Sequence, residues 1–268
     1  MLNAKNGVVE LPDGRMDYVR FGSGKKTMLL IPGLSESLQS VRGTALPMAL
    51  SFRQLAGRFT VYMPGRRRDL PAHFSIREMA SDTAAAMEAL GIGSACVLGV
   101  SQGGMIAQHL ALDHPEKVER LVLAVTMGRQ NPTVDAAVRG WMAMAGKGDY
   151  RSLMVDTAER SYSPRRKKAM RAASALLAAV RKPKDFSRFL TQAEACLGHD
   201  VYDRLGEIRC PVLVIGGTED QVVSGEASRE LAAAIPGAEL YMYEGLSHAA
   251  FDEAGDFFER AAAFFTAG

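Results

Sequence analysis

The chain has 268 residues, 32 basic and 30 acidic, for a formal charge of +2; 47% are apolar and 23% charged. That apolar fraction excludes disorder, the length suits a single α/β domain carrying an insertion, and the balanced charge excludes a global nucleic-acid binder. No apolar run approaches the roughly 18 residues of a membrane helix, and Met1-Leu2-Asn3-Ala4-Lys5-Asn6 lacks the apolar stretch of a secretory signal, so no integral membrane segment and a cytoplasmic setting are expected.

In chain order, residues 8–11 and 15–21, split by Pro12-Asp13-Gly14, read as a leading antiparallel hairpin. Residues 27–31 form a short apolar strand that ends in the turn Pro32-Gly33-Leu34-Ser35. A second strand over 59–63 ends at Pro64-Gly65. Ser75 and Glu78 have capping-box spacing, and Ile76, Met79, Ala80, Thr83 and Met87 keep helical period until Gly91. Strands follow at 95–100, 121–125, 212–215 and 239–243, with a helix over 102–112 and a last one over 251–265. Short apolar strands alternating with amphipathic helices predict an α/β fold with a mostly parallel, doubly wound sheet.

Between residues 126 and 209 the rhythm breaks: there are helical segments, one opening at Ser163-Pro164, and no convincing strand. The expected division is a core of residues 1–125 and 210–268 with a helical cap of residues 126–209 between core strands. From Arg160 to Arg188 there are ten basic residues against the single acid Asp185, read as a solvated outer face of cap helices. Cys96, Cys196 and Cys210 are far apart and outside any Cys/His metal spacing, so they read as reduced thiols, and neither metal nor cofactor is expected.

Gly99-Val100-Ser101-Gln102-Gly103 fits G-x-S-x-G, and it lies between a strand and a helix, the setting the motif requires. A serine in that sharp turn has its hydroxyl lifted above the sheet edge, beside unpaired N–H groups of the helix start. Such a hydroxyl needs a base. Of the five histidines, His109 and His114 belong to the following helix and read as packing or capping residues, His73 to an early loop, and His199 to the end of the insertion. His248 lies in a loop after the last strand, at the same sheet edge as Ser101, and is the expected base. Asp220, after the 212–215 strand, is the expected orienting acid, with Glu219 as its neighbouring alternative. The backbone N–H groups of Gln102 and Leu34 are the expected oxyanion donors.

The elbow, Gly217-Thr218-Glu219-Asp220 and the His248 loop together resemble the α/β-hydrolase fold superfamily, specifically its serine hydrolases with a helical cap. Two positions depart from its common patterns: Pro32-Gly33 stands where His-Gly is usual, and Pro64-Gly65-Arg66-Arg67-Arg68-Asp69 stands where D-x-x-G-x-G-x-S is frequent. The resemblance implies a small-molecule acyl substrate, an ester or lactone, cleaved through an acyl-enzyme. C–C hydrolase, perhydrolase and aminopeptidase chemistry use the same residue set, and a ligand receptor of slow or no turnover is the alternative from another class. Trp141, Met142, Met144 and Met154 are candidates for an apolar substrate pocket, ordinary helix packing accounting for them equally well. Arg66, Arg67 and Arg68 read as exposed rather than as holding a substrate carboxylate. Substrate identity and oligomeric state do not follow from the sequence.

Overall fold

The computed structural model describes residues 2–180 and 182–267. Eight strands form one sheet in the order β1-β2-β4-β3-β5-β6-β7-β8. The leading hairpin is β1 (Lys5–Leu11) and β2 (Gly14–Phe21), and β2 pairs antiparallel with β4 (Phe59–Arg67). The others, β3 (Lys26–Ile31), β5 (Ala95–Val100), β6 (Val118–Ala124), β7 (Val212–Gly217) and β8 (Glu239–Tyr243), run parallel with β4. Strands β5 and β7 are buried at every residue, as expected of parallel strands covered on both faces.

Two apolar layers sandwich the sheet. One centres on α3 (Ile76–Ala89) and α4 (Gln102–Asp113), with α9 (Gly225–Ala234); the other on the short helices α1 (Ala45–Ser51) and α2 (Arg53–Ala56) with α11 (Phe257–Thr266). The capping box at Ser75 and Glu78 forms in both directions, ending the approach to α3 as the spacing predicts. Between β6 and β7 the described residues form four inserted α-helices and no strand: α5 (Pro132–Gly146), α6 (Tyr150–Ser161), α7 (Pro164–Val180) and α8 (Ser187–Leu197).

Two expectations about element extent are corrected. Strand β4 does not stop at Pro64-Gly65 but continues to Arg67, because β2 pairs with its far end (Tyr18 opposite Pro64, Met16 opposite Arg67). The missing proline donor is tolerated where the ladder is irregular, between Met16 and Tyr18. The last helix is also two helices: α10 (Ala250–Glu253) ends at Ala254, and α11 starts after Asp256, so the chain turns at Gly255. Among the described residues, no helix is long and apolar enough to cross a membrane.

Candidate active site

Ser101 occupies the junction of β5 and α4 with φ +55° and ψ −120°, a backbone conformation that L-residues rarely adopt. Its surroundings hold it there. Its N–H donates to the Ala124 carbonyl on β6 at 2.9 Å, and its carbonyl accepts from Thr126 Oγ1 at 2.8 Å. The tightness of the turn accounts for its glycines: a β-carbon on Gly99 would strike the Gly103 carbonyl, and one on Gly103 would strike the Ile31 carbonyl of β3. The strain is thus fixed by two neighbouring strands rather than by the loop alone.

The loops after β5, β7 and β8 leave the same edge of the sheet, and they bring Ser101, Asp220 and His248 together. His248 Nε2 lies 2.9 Å from Ser101 Oγ, and His248 Nδ1 lies 2.8 Å from Asp220 Oδ2. The other Asp220 oxygen accepts from the N–H groups of Val222 and Val223 at 2.8 and 2.9 Å, which leaves Oδ2 aimed at the imidazole. Asp220 is buried, whereas the neighbouring Glu219 is exposed. A buried carboxylate on Nδ1 favours the tautomer in which Nε2 accepts the serine proton.

The His248 loop is stitched to the inserted helices. Ser247 Oγ donates to the Arg160 carbonyl at 2.6 Å, and the Ala249 N–H donates to the Ser161 carbonyl at 2.8 Å, both at the end of α6. Glu253 on α10 accepts from the N–H and Oγ of Ser163, just before α7.

Beside Ser101, Gly33 ends the turn after β3; a β-carbon there would sit 3.2 Å from Ser101 Cβ. Leu34 opens the 3₁₀ turn Leu34–Ser37, and Gln102 is the first residue of α4, so its N–H lies outside the helix's own hydrogen-bond ladder. Both expected donor positions therefore flank the serine.

A polar network behind this turn has no counterpart in the sequence reading. Arg66 and Arg67 are buried, 3% and 8% exposed, which corrects their expected exposure. They are covered because β4 runs on past Gly65 into the sheet. Arg66 donates from Nη2 to the Pro32 carbonyl at 2.7 Å and to Gln102 Oε1 at 3.2 Å, while its Nε and Nη1 have no partner; burial brings its pKa down to about 10. Glu36, in the 3₁₀ turn, receives the Arg66 N–H at 3.2 Å and both carboxylate oxygens receive Arg188 Nη2 of α8 at 2.9 and 3.0 Å. Gln102 Nε2 in turn donates to the Gln192 carbonyl of α8 at 2.9 Å. Arg67 pairs with Asp82 at 2.9 Å, and Arg68 grips Asp17 with two bonds. None of the three arginines lines the cavity next to the serine turn.

A cavity of about 390 Å³ is lined by Gly33 and Val100, the residues that flank Ser101 in space and in sequence. Met154 lines it, as expected of a substrate pocket residue. Trp141 and Met142 do not: Trp141 is buried in the apolar layer that joins the insertion to α3 and α4, with its indole N–H on Asp156 at 2.8 Å, and Met142 packs against that layer. Met144 lies instead on an outer groove of the insertion with Arg151 and Lys168. His109 and His199 pack edge to face at 5.5 Å, far from serving as bases; burial, then the neighbouring His109, holds His199 down at about 3. All three cysteines are free thiols, and burial raises Cys96, Cys196 and Cys210 to about 11, 12 and 11, so none is a nucleophile at neutral pH. Among the described residues, no cluster of three His, Cys, Asp or Glu side chains is placed to hold a metal ion.

Known proteins share this arrangement of elements. The chain is 29% identical over 268 residues to the polyketide synthase ThaQ of Burkholderia thailandensis, covering 95% of this chain but only 12% of that far longer protein. It is 25% identical over 228 residues to RutD of Caulobacter vibrioides, a protein named for carbamate hydrolysis, with 81% of each chain covered. Among solved structures, Est816, described as an N-acyl homoserine lactone degrading enzyme, superposes with a TM-score of 0.71 at 27% identity, covering 96% of this chain and 100% of its own. A model of the alpha/beta hydrolase fold matches residues 26–255. The strand order, the strained serine turn and that match agree: the chain belongs to the alpha/beta hydrolase fold family.

Proposed function

We propose that the protein is a serine hydrolase that cleaves a small ester or lactone through an acyl-enzyme. The observation that carries this reading is the unbroken chain of short contacts from Ser101 Oγ through His248 to Asp220, at 2.9 and 2.8 Å. His248 Nε2 takes the serine proton as Oγ bonds to the acyl carbon. The resulting oxyanion is held by the N–H groups of Gln102 and Leu34, donors whose loss costs about 10²–10³ in turnover. Collapse breaks the carbon–oxygen bond of the ester, and the imidazolium returns the proton to the leaving alkoxide. Water then loses a proton to the same nitrogen, attacks the acyl carbon, and frees the carboxylic acid and Ser101. Asp220 keeps its charge throughout and stabilises the imidazolium.

In this reading residues 126–209 are the cap over a core of residues 1–125 and 210–268, since the cavity beside Ser101 is partly walled by α6 and α7. Est816, named for lactone degradation, supports the ester-or-lactone class over its alternatives. Among the described residues lining the cavity there is no Arg, Lys or His to hold a carboxylated substrate. The test is turnover of p-nitrophenyl acetate with product analysis. Ser101→Ala is expected to lower kcat by about 10⁴-fold or more with the circular dichroism spectrum retained; turnover at the parent rate would remove the mechanism.

A further inference from the structure

The cavity beside Ser101 has a direction, and the direction names a substrate class. Its floor is the sheet face at Val100, Leu30 and Met63, on the adjacent strands β5, β3 and β4. One wall is α1 with its flanking residues: Thr44, Met48 and Phe52 recur every four residues and so share one side of the helix, over about 12 Å. Phe52 stacks on Phe21 with ring centres 6.3 Å apart, and Phe21 pairs with Val61, two residues before Met63 along β4. Because Ser101 lies at the C-terminal edge of the parallel strands, Phe52 marks the inner end. There Phe258 of α11 meets it edge to face at 5.2 Å and also lines the cavity. At the other end Leu177 of α7 lines the cavity while 38% exposed, which marks the mouth.

Three polar side chains of this lining are engaged locally, while the Tyr150 hydroxyl, which also lines it, is buried without a partner. Thr44 Oγ1 donates to the Val41 carbonyl at 2.7 Å, Ser40 Oγ accepts from the Arg42 N–H at 3.2 Å, and the Glu36 carboxylate is neutralised by Arg188. A ligand thus meets an elongated, mainly apolar surface with, among the described residues, no cation to hold an acid.

Building on the serine hydrolase reading, we infer that this cavity is an acyl-chain site, and that the protein takes esters of unbranched medium-chain acids, from hexanoyl to decanoyl, with the chain running from Ser101 under α1 to Phe52 and Phe258. A floor of aliphatic side chains beneath a one-helix wall suits an extended alkyl chain, and each methylene buried there strengthens transition-state binding about fourfold.

A series of p-nitrophenyl esters from acetate to palmitate tests this on the whole chain. kcat/KM is expected to climb about fourfold per methylene beyond butyrate, to peak between hexanoate and decanoate, and to fall for longer chains. A flat series, or a peak at acetate, overturns the assignment. Met48→Trp, which fills the middle of the wall, is expected to lower the octanoate-to-butyrate ratio of kcat/KM by about tenfold, and Met48→Ala to move the peak toward longer chains; an unmoved peak in both variants contradicts it. Alkyl fluorophosphonates separate this inference from the reading beneath it. Faster modification of Ser101 by the octyl than by the butyl reagent supports both. Equal rates remove the acyl-chain site and leave the hydrolase; no modification of Ser101 at any chain length removes both.

Discussion

Two helices of the same insertion, α7 with five cations and α8 with one, use their charge in opposite ways. Helix α8 buries Phe189, Gln192, Ala193, Ala195 and Cys196, and its Arg188 ties the buried Glu36 and the carbonyls of Arg66 and Arg67 to the insertion. Helix α7 is longer, with 17 residues, yet buries only Ala178. Its cations face solvent or pair with partly exposed acids: Arg166 with Asp252, and Lys167 and Arg171 with Glu159. A charge on α8 holds the turn beside Ser101, whereas a charge on α7 is screened by water. One half of the insertion is a strut for the site and the other is its outer shell. Burial of the partner, not the count of basic residues, decides which.

The sharpest way to break this comparison is Arg188→Met. It strands the Glu36 carboxylate, 1% exposed, with its principal counterion gone, and is expected to cost about 3 kcal/mol in urea denaturation. Glu36→Gln in the same chain should recover a good part of that loss; a cost under about 1 kcal/mol for Arg188→Met would place α8 with α7. The end of α8 gives the next effect through pH. His199 has a folded pKa of about 3 against 6.5 in an open chain, so below pH 6.5 the unfolded state binds a proton that the native state refuses. Stability therefore falls with acidification, by about 2 kcal/mol from pH 6.5 to 5 on this residue alone. His199→Gln should flatten that part of the pH–stability curve, and an unchanged slope would contradict it. Tyr150, at the start of α6, is buried with its hydroxyl unpartnered, so Tyr150→Phe should raise the unfolding free energy by up to about 1 kcal/mol in the same assay. Smallest of all, Arg165→Gln and Lys168→Gln on α7 should each stay within about 0.5 kcal/mol of the parent chain, and a larger loss would give α7 a role in holding the fold.

The core was legible because its signals are local. The apolar runs of β5 and β7, the capping box at Ser75 and the glycines about Ser101 each act within a few residues of themselves, and strand-after-strand placement brought Asp220 and His248 to the same edge. What was missed depends on partners distant in sequence. Arg66 and Arg67 read as exposed because a Pro-Gly pair looks like a strand's end; only the pairing of β2 with the far half of β4 keeps them inside. Glu36 and Arg188 are 152 residues apart, and no periodicity connects a turn to a helix across that distance. Trp141 and Met142 have the composition of a pocket, but a helix turns one face inward, and theirs meets the apolar layer that the insertion shares with α3 and α4. The break at Gly255 was lost between Phe251 and the Phe257-Phe258 pair, whose apolar character continues across the gap.

The proposed chemistry meets its most direct test in a covalent intermediate. The whole chain is mixed with a p-nitrophenyl ester, quenched during turnover and mapped by peptide mass spectrometry. The account predicts one acyl group on the peptide bearing Ser101, gained as p-nitrophenolate is released and lost as the ester is exhausted. Sustained product release with no acylated Ser101, or with the acyl group carried by another side chain, would contradict it.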